Sequence, residues 1–171
     1  MQEPVSSSSI DYTVTEQETA NNKQIADLSA VPARGRILAI DPGTKRCGIA
    51  VCDELRVTVS SLKRLERTSW KKLLSNIREL VAEYDAVAIV VGLPLESDGS
   101  DGPMTAEARD IARKLTLSLD IPVLLQDERV TSYEAKGRLW AAGKGLKESR
   151  DLVDSEAAAI ILEDFLLQAN G

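Results

Sequence analysis

The 171-residue sequence contains no histidine. This absence excludes the Ser-His-Asp and Cys-His catalytic arrangements, any zinc site with an imidazole ligand, and the side chain that most often acts as a general base. Hydrolytic chemistry in this chain would therefore depend on carboxylates and metal-bound water.

Cysteine is almost as scarce, since only Cys47 and Cys52 occur. They stand five positions apart in one predicted strand, and because side chains alternate between the faces of a strand, we expect them on opposite faces. That geometry disfavours a disulfide between them. Two unpaired core thiols are typical of a reducing compartment.

Long apolar runs and a secretory leader are also lacking. The longest runs, such as AVAIVVGL from Ala86, are too short to cross a bilayer, and the amino-terminal MQEPVSSSS lacks the basic and then apolar pattern of a signal peptide. We therefore expect a cytoplasmic protein with no membrane partner. Aromatic residues make up only 4% of the chain, which disfavours binding of nucleic acid by stacking on single-stranded bases.

The net charge of −6 is unevenly distributed. Residues 1–33 contribute −4, because they carry one base, Lys23, and five acids: Glu3, Asp11, Glu16, Glu18 and Asp27. This polar segment has no sustained periodicity, and we predict a disordered acidic tail followed by one domain over residues 34–171. Within that domain, cations are concentrated in LKRLERTSWKK and KGRLWAAGKGLKESR. These runs are either solvated surface charge or contacts for phosphate groups.

The apolar pattern predicts a mixed α/β domain. Three successive short strands, RILAID, CGIAVCD and VTVSSL, form an antiparallel meander, and two later strands, AVAIVVGLP and IPVLLQ, alternate with helices. Gly92 and Pro94 are expected to end the first of these later strands. Ser69 is predicted to cap the helix over 69–84, and Pro103 to occupy the first turn of the next helix. The last two predicted helices are TSYEAKGRLWAA and DLVDSEAAAIILEDFLLQ. The predicted fold class is α/β, with a five-stranded mixed sheet flanked by helices.

Topology places several acids on one edge of that sheet. In a meander followed by helical crossovers, strands one, three, four and five are parallel, so their carboxyl ends share the edge where open α/β sheets bind ligands. Asp41, the Gly92–Pro94 turn, Asp127 and Glu128 are predicted there. A simpler alternative for Asp41 is that it starts a turn.

Carboxylates gathered on one edge repel each other, by about 4 kcal/mol for two unit charges roughly 4 Å apart at an effective dielectric of about 20. A divalent cation removes that repulsion. Ligation by oxygen without histidine suits Mg²⁺ or Mn²⁺ better than zinc.

Four segments, IDPGTKRCGIAV, VVGLPLESDGS, DERVTSYEA and LVDSEAAAIIL, together resemble the YqgF family, also called RuvX, of pre-16S rRNA nucleases related to Holliday junction resolvases. They occur in the family's order and at its approximate spacing. The resemblance implies an RNase H-like fold and catalytic acids at Asp41, Glu128 and Asp154. It also implies RNA, namely pre-16S rRNA within a small ribosomal subunit precursor, as the partner.

Two positions depart from the family pattern. Glu96 follows GLPL where the family commonly carries asparagine, which adds negative charge near the proposed site. Asp151 stands three residues before Asp154, so both carboxylates lie on one helical face, as in the paired acids of related resolvases. Asp151 is therefore an accessory ligand candidate, and the alternative for both acids is that they complement the helix dipole.

The combined prediction is a metal-dependent nuclease that hydrolyses phosphodiester bonds in 5′-end processing of pre-16S rRNA. Asp41, Glu128 and Asp154 are its predicted catalytic acids and, with Asp151, its metal ligands. Five cations are predicted to hold phosphates: Lys45, Arg46, Arg129, Lys144 and Lys147. The last two lie in the glycine-bearing segment AAGKGLK, which could close on the substrate.

Three other functions remain open at this point. DPGTKRCGIA is also similar to the first phosphate loop of the actin and sugar-kinase ATPases, although those proteins need a second domain and a second such loop. A binding module with the same fold but no turnover is the stronger alternative. Resolution of four-way DNA junctions is the third, and it would require a symmetric dimer. The sequence leaves open RNA against structured DNA, and monomer against homodimer.

Overall fold

The computed structural model describes residues 23–129 and 149–170, and within the last helix it describes side chains from residue 155 onward. A short 3-10 helix, Leu28–Ala30, precedes the main elements. The five strands are β1 (Ile37–Pro42), β2 (Arg46–Cys52), β3 (Val59–Glu66), β4 (Ala88–Leu93) and β5 (Val123–Asp127). The three helices in the described ranges are α1 (Trp70–Tyr84), α2 (Thr105–Ser118) and α3 (Ser149–Ala169).

The five strands form one mixed sheet in the order β3-β2-β1-β4-β5. Antiparallel pairing joins β1 to β2 and β2 to β3, and parallel pairing joins β1 to β4 and β4 to β5. This confirms the predicted meander followed by parallel strands. The centre of the sheet is formed by β1 and β4, whose apolar residues are buried on both faces.

Helices cover both faces of the sheet. On one face, α1 and α2 bury their apolar stripes against the sheet, with Leu73, Ile77 and Ile111 almost wholly inaccessible. On the other face, α3 packs its small and branched residues against β1, β2 and β4. The start of α1 is capped as predicted, because the Ser69 hydroxyl oxygen accepts a hydrogen bond from the Lys72 backbone N–H at 3.2 Å.

The start of α2 differs from the prediction. Pro103 lies before the helix rather than in its first turn, because α2 begins at Thr105. The Thr105 hydroxyl donates to the carbonyl of Pro94 and accepts from the backbone N–H of Gly102 at 2.7 Å. These two bonds close the loop over 94–102 onto the beginning of α2.

Residues 23–31 contact the sheet, whereas the sequence analysis assigned them to the tail. The Ala26 backbone N–H donates to the Val123 carbonyl at 2.8 Å, and Lys23 donates to the Leu119 carbonyl at 3.1 Å. Ala26 and Val31 also pack against the core under α3. The predicted disorder of residues 1–22 concerns a segment outside the described residues and stays a prediction.

The two cysteines are buried and form no disulfide with each other, and they lie on opposite faces of β2 as predicted. Cys47 belongs to the core under α1 and α2, and Cys52 to the core under α3.

Among the described helices, none is both long enough and apolar enough to span a bilayer.

Candidate active site

Two of the predicted acids meet at the carboxyl edge of the sheet. Asp41 lies near the end of β1, and Glu128 immediately follows β5, with its backbone N–H donating to the Leu93 carbonyl at 3.2 Å. Ala39, two residues before Asp41, packs on α3, so alternation along the strand directs Asp41 to the same face. The Asp41 and Glu128 side chains are hydrogen bonded to each other.

Gly92 makes this contact across β4 possible. Neighbouring strands lie about 4.8 Å apart, so β1 and β5 are separated by about 10 Å with β4 between them. A Cβ at Gly92 would lie 2.9 Å from Glu128 Oε2 and 2.6 Å from Ile161 Cδ1. The sequence analysis assigned Gly92 to the end of the strand, but β4 continues to Leu93. Glycine here leaves open the space through which the two carboxyl groups approach each other.

Glu128 is strongly perturbed by this environment. Burial, followed by the negative charge of Asp41, the hydrogen bond with Asp41 and the charge of Asp127, raises the pKa of Glu128 from 4.5 to about 8. This raised pKa favours the protonated form of Glu128 near neutral pH, in which its carboxyl group can donate the hydrogen bond to the Asp41 carboxylate. Two carboxyl groups that share one proton in this way present a set of closely spaced oxygen atoms.

The neighbouring acid, Asp127, faces a different partner. Arg129 donates to it from Nε at 2.7 Å and from its backbone N–H at 3.0 Å, and Nη2 completes an ion pair at 2.6 Å. These hydrogen bonds from Arg129 lower the pKa of Asp127. Arg129 also lies against the 94–102 loop, because a Cβ at Gly99 would be 3.1 Å from its Nη1. The Arg129 side chain, predicted to hold phosphate, is 42% exposed.

The predicted cations Lys45 and Arg46 lie in the turn that follows Asp41 and at the start of β2. This turn is tight: the Gly43 backbone N–H donates to the Arg46 carbonyl at 2.8 Å, and a Cβ at Gly43 would lie 2.6 Å from that oxygen. Lys45 is exposed, and Arg46 is partly exposed with its Nε 3.6 Å from Glu66 Oε1. Both cations therefore stand beside the carboxyl edge and within reach of solvent.

The start of α3 is attached to β3 close to this edge. The Ser155 hydroxyl donates to the Leu62 carbonyl at 2.6 Å, and the Ser155 carbonyl accepts from the Ser61 hydroxyl at 3.2 Å. Leu62 is in register with Ile49, which is in register with Ile40, the residue before Asp41. The main chain that carries Ser155 is thus attached to β3 in the residue row next to that of Asp41, two strands away from it.

Several predicted residues are not placed by the structure. Asp154 and Asp151 lie in the first two turns of α3, but their side chains lie outside the described residues, as do Lys144 and Lys147 entirely. Within the described part of the chain, no cluster of three or more Cys, Asp or Glu side chains is suited to a metal ion.

Glu96, the position that departs from the family pattern, is exposed in the loop after β4. A Cβ at Gly102 would lie 2.5 Å from its Oε1, so its carboxylate lies against that residue. Glu96 is not among the acids whose charge raises the pKa of Glu128, which are Asp41 and Asp127.

A profile of the RuvX family, described as Holliday junction resolvase, matches residues 35–168 of this chain. The chain belongs to the RuvX family. A relative from Anaeromyxobacter sp. (strain K) with the provisional name pre-16S rRNA nuclease is 43% identical over 131 residues, 77% of this chain and 96% of that protein. A relative from Syntrophus aciditrophicus with the same provisional name is 40% identical over 77% of this chain and 87% of its own length.

The fold of this RuvX family member is also similar to that of a solved resolvase. The structure of Thermus thermophilus RuvC in complex with Holliday junction substrate superposes with a TM-score of 0.52 at 17% identity, over 80% of this chain and 98% of that one. This similarity, together with the observed strand order, confirms the predicted RNase H-like fold.

Proposed function

We propose that this RuvX protein is a metal-dependent nuclease that hydrolyses phosphodiester bonds in 5′-end processing of pre-16S rRNA. The observation that carries the proposal is the hydrogen-bonded pair of Asp41 and Glu128 at the carboxyl edge of the sheet. The provisional name of the relatives, pre-16S rRNA nuclease, supports the same reaction and substrate.

The residues present fit a divalent cation. Asp41 and Glu128 supply hard oxygen donors. The proton that they share lies where a positive charge relieves the repulsion between two carboxylates. Oxygen-only ligation favours Mg²⁺ or Mn²⁺. We assign Asp154 as the third ligand and Asp151 as an accessory one, because α3 packs on the face of the sheet to which Asp41 points and is attached there through Ser155. A bound cation of this kind activates water and stabilises the leaving oxygen of a phosphodiester.

The protein's own groups position the substrate around that pair. Asp41 is held on a central strand with neighbours on both sides, which fixes its carboxylate. Lys45 and Arg46 beside it, and Arg129 across the edge, are assigned to the phosphates that flank the scissile bond. Lys144 and Lys147 are likewise assigned to substrate phosphates.

RNA is the proposed substrate, in the form of a small ribosomal subunit precursor, and the location is the cytoplasm. The two buried thiols, which form no disulfide with each other, are compatible with a reducing compartment. Structured DNA is the second candidate, because the family description names Holliday junction resolvase. Cleavage of DNA junctions would need a dimer with two sites, whereas trimming of an RNA end requires only a monomer.

The test is cleavage of a labelled RNA that carries the precursor 5′ end, with Mg²⁺ or Mn²⁺, beside a four-way DNA junction of similar length. Asp41→Asn and Glu128→Gln should each lose cutting while they remain folded, because each removes one negative ligand. Glu83→Gln is the matched control, since Glu83 is an exposed glutamate on α1, on the opposite face of the sheet.

Each substrate has its own outcome. Metal-dependent cutting of the RNA that Glu83→Gln retains would support the proposal. Cutting of the junction but not of the RNA would replace RNA with DNA as the substrate. A folded wild type that binds RNA with no cutting at any metal concentration would favour a binding module without turnover.

A further inference from the structure

The turn that follows Asp41 is held in place from outside by Arg67, the residue after β3. The Arg67 backbone N–H donates to the Lys45 carbonyl at 2.9 Å, and its Nη1 donates to the Gly43 carbonyl. Both acceptors belong to the three-residue link between β1 and β2. The main chain and the side chain of one arginine thus fix the two ends of this link.

The other arm of the Arg67 guanidinium group points away from the turn. Its Nη2 donates to the carboxylate of Glu107 in the first turn of α2, and the Arg67 side chain is only 16% exposed. The same end of α2 holds the 94–102 loop through Thr105. Arg67 therefore bonds directly to the loop after β1 and is linked through α2 to the loop after β4.

We propose that Arg67 is a positioning residue for the reaction, one that sets the place of the Gly43–Lys45 turn relative to Asp41. This inference rests on the proposed nuclease function. Arg67 is largely buried and bonded on both arms, so it acts on the site through the turn and does not contact the substrate. A guanidinium group suits the task because its fixed fork can bond a carbonyl and a carboxylate at the same time, whereas a lysine ammonium is a single point of charge.

The effect on the reaction follows from the position of the turn. Gly43 lies two residues after Asp41, and Lys45, an assigned phosphate contact, ends the turn. A displacement of about 1 Å in a catalytic group can lower a rate by about 100-fold, even when the altered residue lies outside the reacting atoms. Loss of the Arg67 bonds should therefore impair the chemical step more than binding of the RNA.

The test compares Arg67→Met, Arg67→Lys and Glu107→Gln in cleavage of the precursor RNA. For Arg67→Met we expect kcat to fall by about 10- to 100-fold while KM and RNA affinity change by less than about threefold. Arg67→Lys should recover only part of the loss, and Glu107→Gln, which keeps a neutral acceptor, should lose less than Arg67→Met. Trypsin should also cut native Arg67→Met after Lys45 several-fold faster than the wild type, because the turn opens more often.

Two controls separate positioning from general stability. Arg113→Met removes an arginine that pairs with Asp110 at 2.9 Å on the same helix, far along α2 from the turn, and it should keep the wild-type kcat. Ile77→Val weakens the core under α1 without touching the site. Its kcat, measured well below the Tm of this variant, shows how much activity is lost through lower stability alone.

The outcomes distinguish the inference from the function on which it rests. An Arg67→Met variant with a kcat no lower than that of Ile77→Val would refute the positioning role. A raised KM with unchanged kcat would refute it as well, because it would assign Arg67 to direct substrate binding. A wild type that cuts neither RNA nor DNA would refute the proposed function itself.

Discussion

Replacement of Glu128 by glutamine should inactivate the enzyme and also make the metal-free protein more stable. Glutamine has nearly the same size, and its amide N–H can still donate to Asp41, but it has no charge to bury. In the wild type, the pKa of Glu128 rises from 4.5 to about 8 because of burial and the charge of Asp41. The variant removes that penalty along with the proposed metal ligand.

The size of the effect depends on pH. Between pH 4.5 and about pH 8, the folded protein retains the Glu128 proton that the unfolded chain has already released. The free energy of unfolding of the wild type therefore falls as the pH rises, by about 1.4 kcal/mol per pH unit. From about pH 5 to about pH 8, the stability advantage of Glu128→Gln should grow by at most about 4 kcal/mol.

Few other groups titrate in this window. The sequence contains no histidine. The other shifted pKa values in the described ranges lie outside it: that of Cys52 is raised from 9.0, that of the already basic Arg129 is raised further, and five aspartate pKa values are lowered from 3.8, those of Asp27, Asp53, Asp98, Asp110 and Asp127. The difference between wild type and Glu128→Gln therefore reports mainly on Glu128.

The assay is urea unfolding of both proteins in EDTA across this pH range, with Glu83→Gln as the reference for loss of an exposed glutamate. Addition of Mg²⁺ at about pH 8 should then stabilise the wild type more than Glu128→Gln, because a ligand that binds only the folded state raises its stability. Parallel pH profiles for wild type and Glu128→Gln would refute the reasoning, since they would mean that Glu128 is not held protonated above its ordinary pKa.

Two further predictions concern the backbone around the site and the first helix. Gly92→Ala should lower kcat and reduce the free energy of unfolding by about 1–3 kcal/mol, because the new methyl group meets Ile161 and Glu128. Adding Ile161→Val, which removes the closer of the two contacts, should restore stability in urea unfolding but not kcat. Ser69→Ala should reduce the free energy of unfolding by about 1 kcal/mol with unchanged kcat, since it leaves the Lys72 backbone N–H without its cap.

Most of the fold could be predicted because its elements have distinct periods. Alternation identified the meander strands, helical spacing identified α1 and α2, and short connections required neighbouring strands to pair. The attachment of Ala26 to β5 could not be predicted in this way. It depends on a backbone hydrogen bond to the Val123 carbonyl, and a polar segment without periodicity gives no sign of such a bond.

The meeting of acids at one edge of the sheet was predicted, and the geometry of their contact was not. Topology alone brought Asp41, Asp127 and Glu128 to one edge, but it could not show which of the two neighbouring acids meets Asp41. That depends on side-chain contacts, since Asp127 pairs with Arg129 whereas Glu128 bonds with Asp41. The role of Gly92 depends on its position between β1 and β5. Predicting that position would require the register of three strands. Arg67 has partners 24 and 40 residues away, and no local pattern identifies such contacts.

The raised pKa of Glu128 and the proposed affinity of the site for a cation would have one physical origin. A proton and a divalent cation compete for the same oxygens of Asp41 and Glu128, so metal binding must displace the proton and strengthen as the pH rises toward 8. A chain without histidine has no imidazole to hold a proton in this range. Under the proposed function, its site would therefore be neutralised in one of two ways, by a proton in the metal-free protein or by a cation in the active one. The instability that Glu128→Gln removes would then be part of the free energy that drives a cation into the wild-type site.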